Sequence, residues 1–327
     1  MNSLWHGCIG LVVLLLASCG QQPAVPQTVF VTEHGLGPDK WATAWLLTRH
    51  AVPGAGLVVA ETDSPRPAGT TFDMPGSDLQ RVGDRSVFEV AQEAHGIDDP
   101  DVARLAQIIN DIEVNFWAPN MVAESAVVEQ AFRELQRGQT YGEVPPECYM
   151  AFFDAVYDAL RSRRVDNAEI VPGSLAVDCG RHALVEGQSN RIVPEVAIPG
   201  LLEEMERGKS VIFVDVREAN EYGEAHIPGA LNITLRELDA AAIDRVQGAD
   251  YVVAYCVKDF RGFEMAKALR EAGVQNAVIL QPYGMKGWLS QGLPMAGSEA
   301  MGEIDAQRQM AECISAPGRC LSKESTR

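Results

Sequence analysis

Apolar positions along this chain keep two different rhythms. From about Val29 to Arg164 the helical period dominates. A strand-like "TVFVTE" opens the stretch, and "DKWATAWLLTRH" then sets Trp41, Ala44, Trp45 and Thr48 on one helical face. "GLVVAE" reads as a second strand. "DDPDVARLAQIINDIE" begins with capping aspartates and a proline, and places Val102, Leu105, Ile109 and Ile112 at helical spacing. "ESAVVEQAFRELQRG" and "PECYMAFFDAVYDALRSRR" are further amphipathic helices.

From about Arg191 to Gly297 strands and helices alternate. "PGLLEEMERGK" is a short helix, "SVIFVDV" a strand, "YVVAYC" the next strand, "GFEMAKALREAG" a helix and "AVILQ" a strand. Near-continuous apolar strands separated by helices predict a parallel sheet covered on both faces. Between the blocks the period lapses over residues 165–190, which read as a connection whose apolar residues pack partly down. The expected organisation is a mostly helical α+β domain at 29–164, that connection, an α/β domain at 191–297 and a tail at 298–327. The tail begins with a helical pattern.

A chain of 327 residues holds two ordinary domains, each with its own core. The formal charge of −18 argues against nucleic acid as a partner and against electrostatic adhesion to anionic lipid. Residues 1–18 read as an export signal, because the apolar run Ile9 to Ala17 is too short to span a bilayer. That run ends in "LASC", which resembles the bacterial lipobox, although no Lys or Arg precedes it. The resemblance implies acylation of Cys19, a tether over 19–28 and a periplasm-facing, lipid-anchored location in the cell envelope. Gly20 after that cysteine leans the assignment to the outer membrane. Setting Cys8 and Cys19 aside, five cysteines remain. If Cys256 is free, four are left for two disulfides in an oxidising compartment. The Pro317-Gly318 turn favours Cys313 with Cys320, which leaves Cys148 with Cys179, though three connectivities stay open.

Cys256 closes a strand in a parallel sheet and immediately precedes a helix. Ligands of such sheets bind beyond the carboxyl ends of the strands. Backbone N–H groups of Val257, Lys258, Asp259, Phe260, Arg261 and Gly262, with the positive end of a helix behind them, make an anion cradle that lowers a thiol pKa. Lys258 and Arg261 add positive charge. A thiolate nucleophile facing an anionic substrate is the chemistry this arrangement favours. A cysteine ending a buried strand is otherwise inert packing. Asp215, Arg217 and His226 are expected to hold the loops at the sheet edge, and Trp288 to be core. No spacing of His, Cys and carboxylates suggests a metal site, and no cofactor is expected.

"DVREANEYGEAHIPGALNI", "YCVKDFRG" and "GMKGWLSQGLPM" resemble, in order and spacing, the rhodanese homology domain. That family's loop cysteine corresponds to Cys256 and its loop arginine to Arg261. Four residues separate the two, as in sulfurtransferases, whereas related phosphatases and arsenate reductases use five. The resemblance implies ping-pong transfer of a sulfane sulfur from a small anionic donor such as thiosulfate to a thiol acceptor, through a Cys256 persulfide. Asp259 and Gly262 depart from the family pattern, and the charge of Asp259 is expected to weaken thiosulfate binding or to favour a thiol or persulfide donor instead.

"DKWATAWLLTRHAVPGAGLVVAE", "TTFDMPGSDLQRVGDRSVFEVAQEAHGIDDPDVARLAQIIND" and "FFDAVYDALR" resemble the C-terminal domain of the ChrB chromate-resistance family. That family commonly carries Cys where this chain has Thr43 and Ser86, and His near Gln80-Arg81. The first block is therefore read as a binding or scaffolding domain of unknown protein partner, with His34, His50 and His95 as surface or satisfied residues. An alternative to the sulfurtransferase is a chromate or oxyanion-stress binding protein with a non-catalytic rhodanese domain. A third reading is an interaction module in which Cys256 is idle.

Overall fold

The computed structural model describes residues 28–60, 65–74, 76–115, 119–138, 144–179, 193–316 and 320–321. The export signal, Cys19, residues 20–27 of the tether and 180–190 of the connection lie outside the described residues.

In the first domain β1 (Val29–Glu33) lies between β2 (Gly56–Ala60) and β3 (Thr70–Thr71), and both pairings are parallel. Five helices accompany this small sheet: α1 (Pro38–Leu46), α2 (Val87–Ala94), α3 (Pro100–Glu113), α4 (Glu124–Gly138) and α5 (Pro146–Asp166). Local chemistry sets their ends. Ser86 and Glu89 form a capping box at the start of α2. The Asp99 carboxylate accepts from the Asp101 and Val102 N–H groups, with Pro100 behind it, at the start of α3. The helix expected through His50 ends as α at Leu46, and its last turn widens to a π turn over Leu47–Ala51. There the Thr48 hydroxyl donates to the Ala44 carbonyl and competes with the helical ladder. Trp41, Trp45, Phe88, Phe132, Tyr149, Phe152 and Phe153 form an aromatic core.

In the second domain five strands are parallel in the order β4-β8-β7-β5-β6: β4 (Glu195–Ala197), β5 (Val211–Asp215), β6 (Leu231–Asn232), β7 (Tyr251–Tyr255) and β8 (Ala277–Gln281). The accompanying helices are α6 (Ile198–Glu206), α7 (Ala219–Glu224), α8 (Ala240–Val246), α9 (Phe260–Glu271), α10 (Gly284–Ser290) and α11 (Glu303–Ser315). Alternation along β7 serves both faces of the sheet. Val253 and Tyr255 join one core with Ile198, Trp288 and Met310. Val252, Ala254 and Cys256 join the other with Met265 and Leu269. Trp288 is buried and donates its N–H to the Pro294 carbonyl at 2.8 Å.

Of the open cysteine pairings, the chain makes Cys148–Cys179 and Cys313–Cys320. The first ties the connecting segment to α5, and Leu175 of that segment is buried in the first core. No helix among the described residues is long and apolar enough to cross a membrane.

The domains are not beads on a linker; each places a side chain in the other's core. Phe260, the first residue of α9, sits in the first-domain core, edge-on to Phe132 at 5.8 Å. Leu36, between β1 and α1, is buried among Phe263, Met265 and Ala266 of α9. Beside it the Glu264 carboxylate accepts from the Leu36 and Gly37 N–H groups. Replacing Phe260 by Ala empties a site that both domains line. We expect a loss of about 3 kcal/mol in urea unfolding followed by circular dichroism. We also expect the transition to split in two; one unshifted transition would refute the interlock.

Candidate functional site

The site is built at the carboxyl end of β7, which lies between β8 and β5 near the middle of the sheet. Cys256 follows the last strand residue, and Asp259 precedes the first turn of α9. The turn closes tightly because Gly262 has no side chain: a Cβ there would lie 2.9 Å from the Tyr255 Cα. The Gly262 N–H donates to the Cys256 sulfur and favours the thiolate. From the other side α10 presses onto the loop, with the Met285 and Lys286 N–H groups donating to the Cys256 and Val257 carbonyls at 2.9 and 3.0 Å. Gly284 permits this approach. Its φ is +58°, and a Cβ would meet the Lys258 carbonyl at 1.8 Å.

Cys256 is free but only 1% exposed. It is buried in the second domain's core, which Leu36 of the first domain joins, and the first domain supplies a charge for every charged residue of the loop. Lys258 is ion-paired to Glu129 of α4. Arg261 donates to both Glu221 carboxylate oxygens at 3.1 and 3.2 Å, and to the backbone carbonyl of Glu113 at 2.8 Å. Its Nε lies 3.7 Å from the Glu113 carboxylate. Asp259 receives the Arg133 guanidinium of α4, Nη1 at 2.7 Å and Nη2 at 2.5 Å.

The closed interface surrounds these loop residues with partners. Carboxylates hold Lys258 and Arg261. Arg133 answers the charge of Asp259. The side chain of Val257 is buried with Met285 and Trp288, and that of Phe260 anchors the loop in the first-domain core. Sequence reading missed Glu113, Glu129, Arg133 and Glu221 altogether. Glu129 and Arg133 lie four apart on α4 and look like a surface helix pair. Nothing local marks them as partners of a loop more than a hundred residues away.

The electrostatics follow from this closure. Burial pushes the Cys256 thiol up to about 11; Arg261 pulls it down and Glu113 pushes it up. The expected lowering of the thiol pKa is thus reversed, because desolvation outweighs the loop's positive charge. Burial also raises Glu113 to about 7, against the pull of Arg81 and Arg261, and one of its carboxylate oxygens has no hydrogen-bond partner. Glu221 is held down at about 2 despite its burial, because Arg261 and Arg81 favour its charge. Arg81, in the region where the ChrB pattern has histidine, bridges this cluster to Asp39 at 3.1 Å. Asp39 in turn accepts from the Val87 and Phe88 N–H groups at the start of α2, next to Ser86.

Asp215, Arg217 and His226 form a separate brace. Arg217 forks onto Asp215 at 2.9 and 2.6 Å and donates to the Ala225 carbonyl at 2.5 Å, with both side chains buried. His226 stacks on Tyr222, and its two ring nitrogens lie 2.8 Å from the Tyr222 carbonyl and from Glu303 of α11. These residues hold the turn around α7 and the strand end. Among the first-domain histidines, His50 packs against Trp45 and Tyr157, His34 lies edge-on to Trp41, and His95 lies edge-on to Phe30. Among the described residues no group of three or more His, Cys, Asp and Glu is placed to hold a metal ion.

Glu113 gives the closed interface a measurable pH signature. Its folded pKa near 7 exceeds the ordinary 4.5, so the folded chain binds the proton more tightly. The stability Glu113 contributes is present below about pH 4.5 and is lost as pH rises through about 7. Glu113→Gln should flatten that limb of a stability–pH curve, by at most about 3 kcal/mol. Urea unfolding at stepped pH reads it, and an unchanged slope would sink the assignment.

Comparison with known proteins agrees with this geometry. Residues 199–291 match the rhodanese-like domain, and residues 30–160 match the ChrB C-terminal domain. The chain is 35% identical over 95 residues to the thiosulfate:glutathione sulfurtransferase of Saccharomyces cerevisiae, covering 25% of this chain and 68% of that one. It is 28% identical over 109 residues to the putative sulfur carrier protein YrkF of Bacillus subtilis, covering 33% of this chain and 56% of that one. It is 34% identical over 87 residues to Protein ChrB of Cupriavidus metallidurans, covering 26% of this chain and 27% of that one. The chain spans about half the length of the first curated relatives it matches. With a free cysteine and an arginine five positions on, at the end of a central parallel strand, and with these matches over the same residues, the chain belongs to the rhodanese family, its rhodanese domain preceded by a ChrB C-terminal domain.

Proposed function

We propose that the chain transfers sulfane sulfur through a persulfide on Cys256, from a small anionic donor such as thiosulfate to a thiol acceptor. The observation that carries this reading is the Cys256 loop itself. Among the described residues Cys256 is the free cysteine, and it stands at the carboxyl end of β7 with the Gly262 N–H on its sulfur and Arg261 close by. In the first half-reaction the Cys256 thiolate attacks the outer sulfur of the donor. A bond forms between the two sulfurs, and the donor's own S–S bond breaks with its electron pair leaving on sulfite. In the second, the acceptor thiolate takes the terminal sulfur and Cys256 leaves as thiolate, so no net oxidation occurs.

The closed interface adds a condition. Donor and acceptor reach a cysteine this buried when α3 and α4 move off the loop, freeing Lys258 and Arg261 from Glu129 and Glu113. The match to the ChrB C-terminal domain favours a second reading, in which the chain binds an oxyanion such as chromate and Cys256 stays idle. Intact-mass spectrometry of the full chain after thiosulfate or polysulfide treatment separates the two. Sulfur transfer predicts one added sulfur in the wild type, none in Cys256→Ser, and faster gain in Glu129→Gln. A wild type that gains no sulfur yet releases heat with chromate would replace this reading with the second.

We infer further that Cys19 carries a lipid and holds the protein, periplasm-facing, in the envelope. The two disulfides support an oxidising compartment. An alkyne-tagged fatty acid fed to the producing bacterium should label the wild type and not Cys19→Ala; equal labelling of the two would exclude acylation at this cysteine.

A further inference from the structure

Asp259 is an unexpected residue for a loop that receives anions, and its carboxylate is one of the charges that disfavour the Cys256 thiolate. Its partner lies on the other domain. The Arg133 Nη1 donates to one Asp259 oxygen at 2.7 Å, its Nη2 lies in ion-pair contact with the other, and Glu129 grips the guanidinium through Nε at 3.0 Å and Nη2 at 2.9 Å. Its Cζ lies 4.4 Å from the Phe260 ring centroid and 5.0 Å from that of Tyr283. Arginine suits this place because its flat, permanently charged fork meets two carboxylates edge-on while its faces stack on rings; a lysine ammonium can only supply the charge.

We propose that Arg133, supplied by the first domain, is a positioning residue of the Cys256 site that cancels the Asp259 charge beside the sulfur and fixes the turn leading into α9. It acts through Asp259 and touches no reacting atom. The charges that face the thiol are Arg261 and Asp259 from its own segment and Glu113 from α3. Arg261 is also answered by Glu221 of α7, Glu113 by Arg81, and Lys258 by Glu129 of α4, so of the charges facing the thiol only Asp259 has Arg133 as its partner. Residues on separate domains thus compensate each other: an acidic residue in the loop and an arginine of α4 that answers it. The inference rests on Cys256 being the reacting group, and on no particular donor.

The test reads the ultraviolet absorbance of the thiolate in the full chain, at an alkaline pH below the thiol midpoint. Each variant is read against its own Cys256→Ser counterpart, so that tyrosine ionisation cancels. Arg133→Ala should lower the thiolate signal several-fold, up to about tenfold for a shift of one pH unit. Arg133→Lys should stay close to the wild type, and Asp259→Asn in the Arg133→Ala background should restore the signal or exceed it. A merely structural arginine would not be rescued by removing the Asp259 charge. An unchanged signal in Arg133→Ala, or a failure of Asp259→Asn to restore it, overturns the proposal. Should circular dichroism show Arg133→Ala unfolded, Asp259→Asn alone decides: a raised thiolate signal supports the proposal and an unmoved one ends it. No sulfur donor is added, so a chain that transfers no sulfur leaves this outcome readable.

Discussion

A charge taken out of water needs a partner, and the Cys256 loop carries three charges into an interface between domains. Lys258, Asp259 and Arg261 each find that partner on the first domain, in Glu129, Arg133 and Glu113, with Glu221 of the second domain assisting. Such pairs add little net stability over a well-packed apolar contact, but removing one member leaves an uncompensated buried charge at a cost of several kcal/mol. The pairing therefore acts as a condition on the fold. The two domains sit together in a register that satisfies all three charges. Phe260 and Leu36, each buried in the other domain's core, supply the apolar attraction that the ion pairs do not.

This arrangement separates the parts of the site that are fixed from those that respond. Gly262 and Gly284 allow backbone to approach backbone, so the loop's shape is set within the second domain. The Asp215–Arg217 fork and the His226–Glu303 contact brace the neighbouring turn there too. What the first domain adds is charge: Glu113 as a second carboxylate beside Arg261, Glu129 at Lys258 and Arg133 at Asp259.

The longer strands and helices, such as β1, β2, β5, β7, β8, α3, α4, α5 and α9, were legible because their signal is local. The two- and three-residue strands β3, β4 and β6 and the short helices α2, α7, α8 and α10 were not. Apolar period, a capping residue such as Asp99, and the six-residue span from Cys256 to Arg261 all lie within one element or turn. The same locality explains the misses. Glu129 and Arg133 satisfy an ordinary helix-pair pattern, and only tertiary structure brings Arg133 onto Asp259, 126 positions away. The π turn after α1 was missed because Thr48 is compatible with a helical face while its hydroxyl rearranges the ladder from within. Cysteine pairing was narrowed and not fixed, because a closing turn favours one pair without forbidding the others. The thiol's pKa was misread in sign for a related reason: loop amides and nearby cations are written in the sequence, whereas desolvation by the packed core around the sulfur is not.

That last difference bears on how the site works. Burial is the largest influence holding the Cys256 proton on, and Arg261 is the largest opposing it. Glu113 adds to burial in opposing the thiolate, while the Gly262 N–H adds to Arg261 in favouring it. The buried thiol is thereby kept protonated and shielded from oxidants, which suits a free cysteine beside the disulfide-bonded pairs of the described residues. Glu113 ties the interface to acidity, because burial raises its carboxyl to about 7 at the point where α3 meets Arg261 of the loop. The first domain therefore reaches the electrostatics of Cys256 through the charges it sets beside the loop, Glu113 opposing the thiolate and Arg133 answering Asp259.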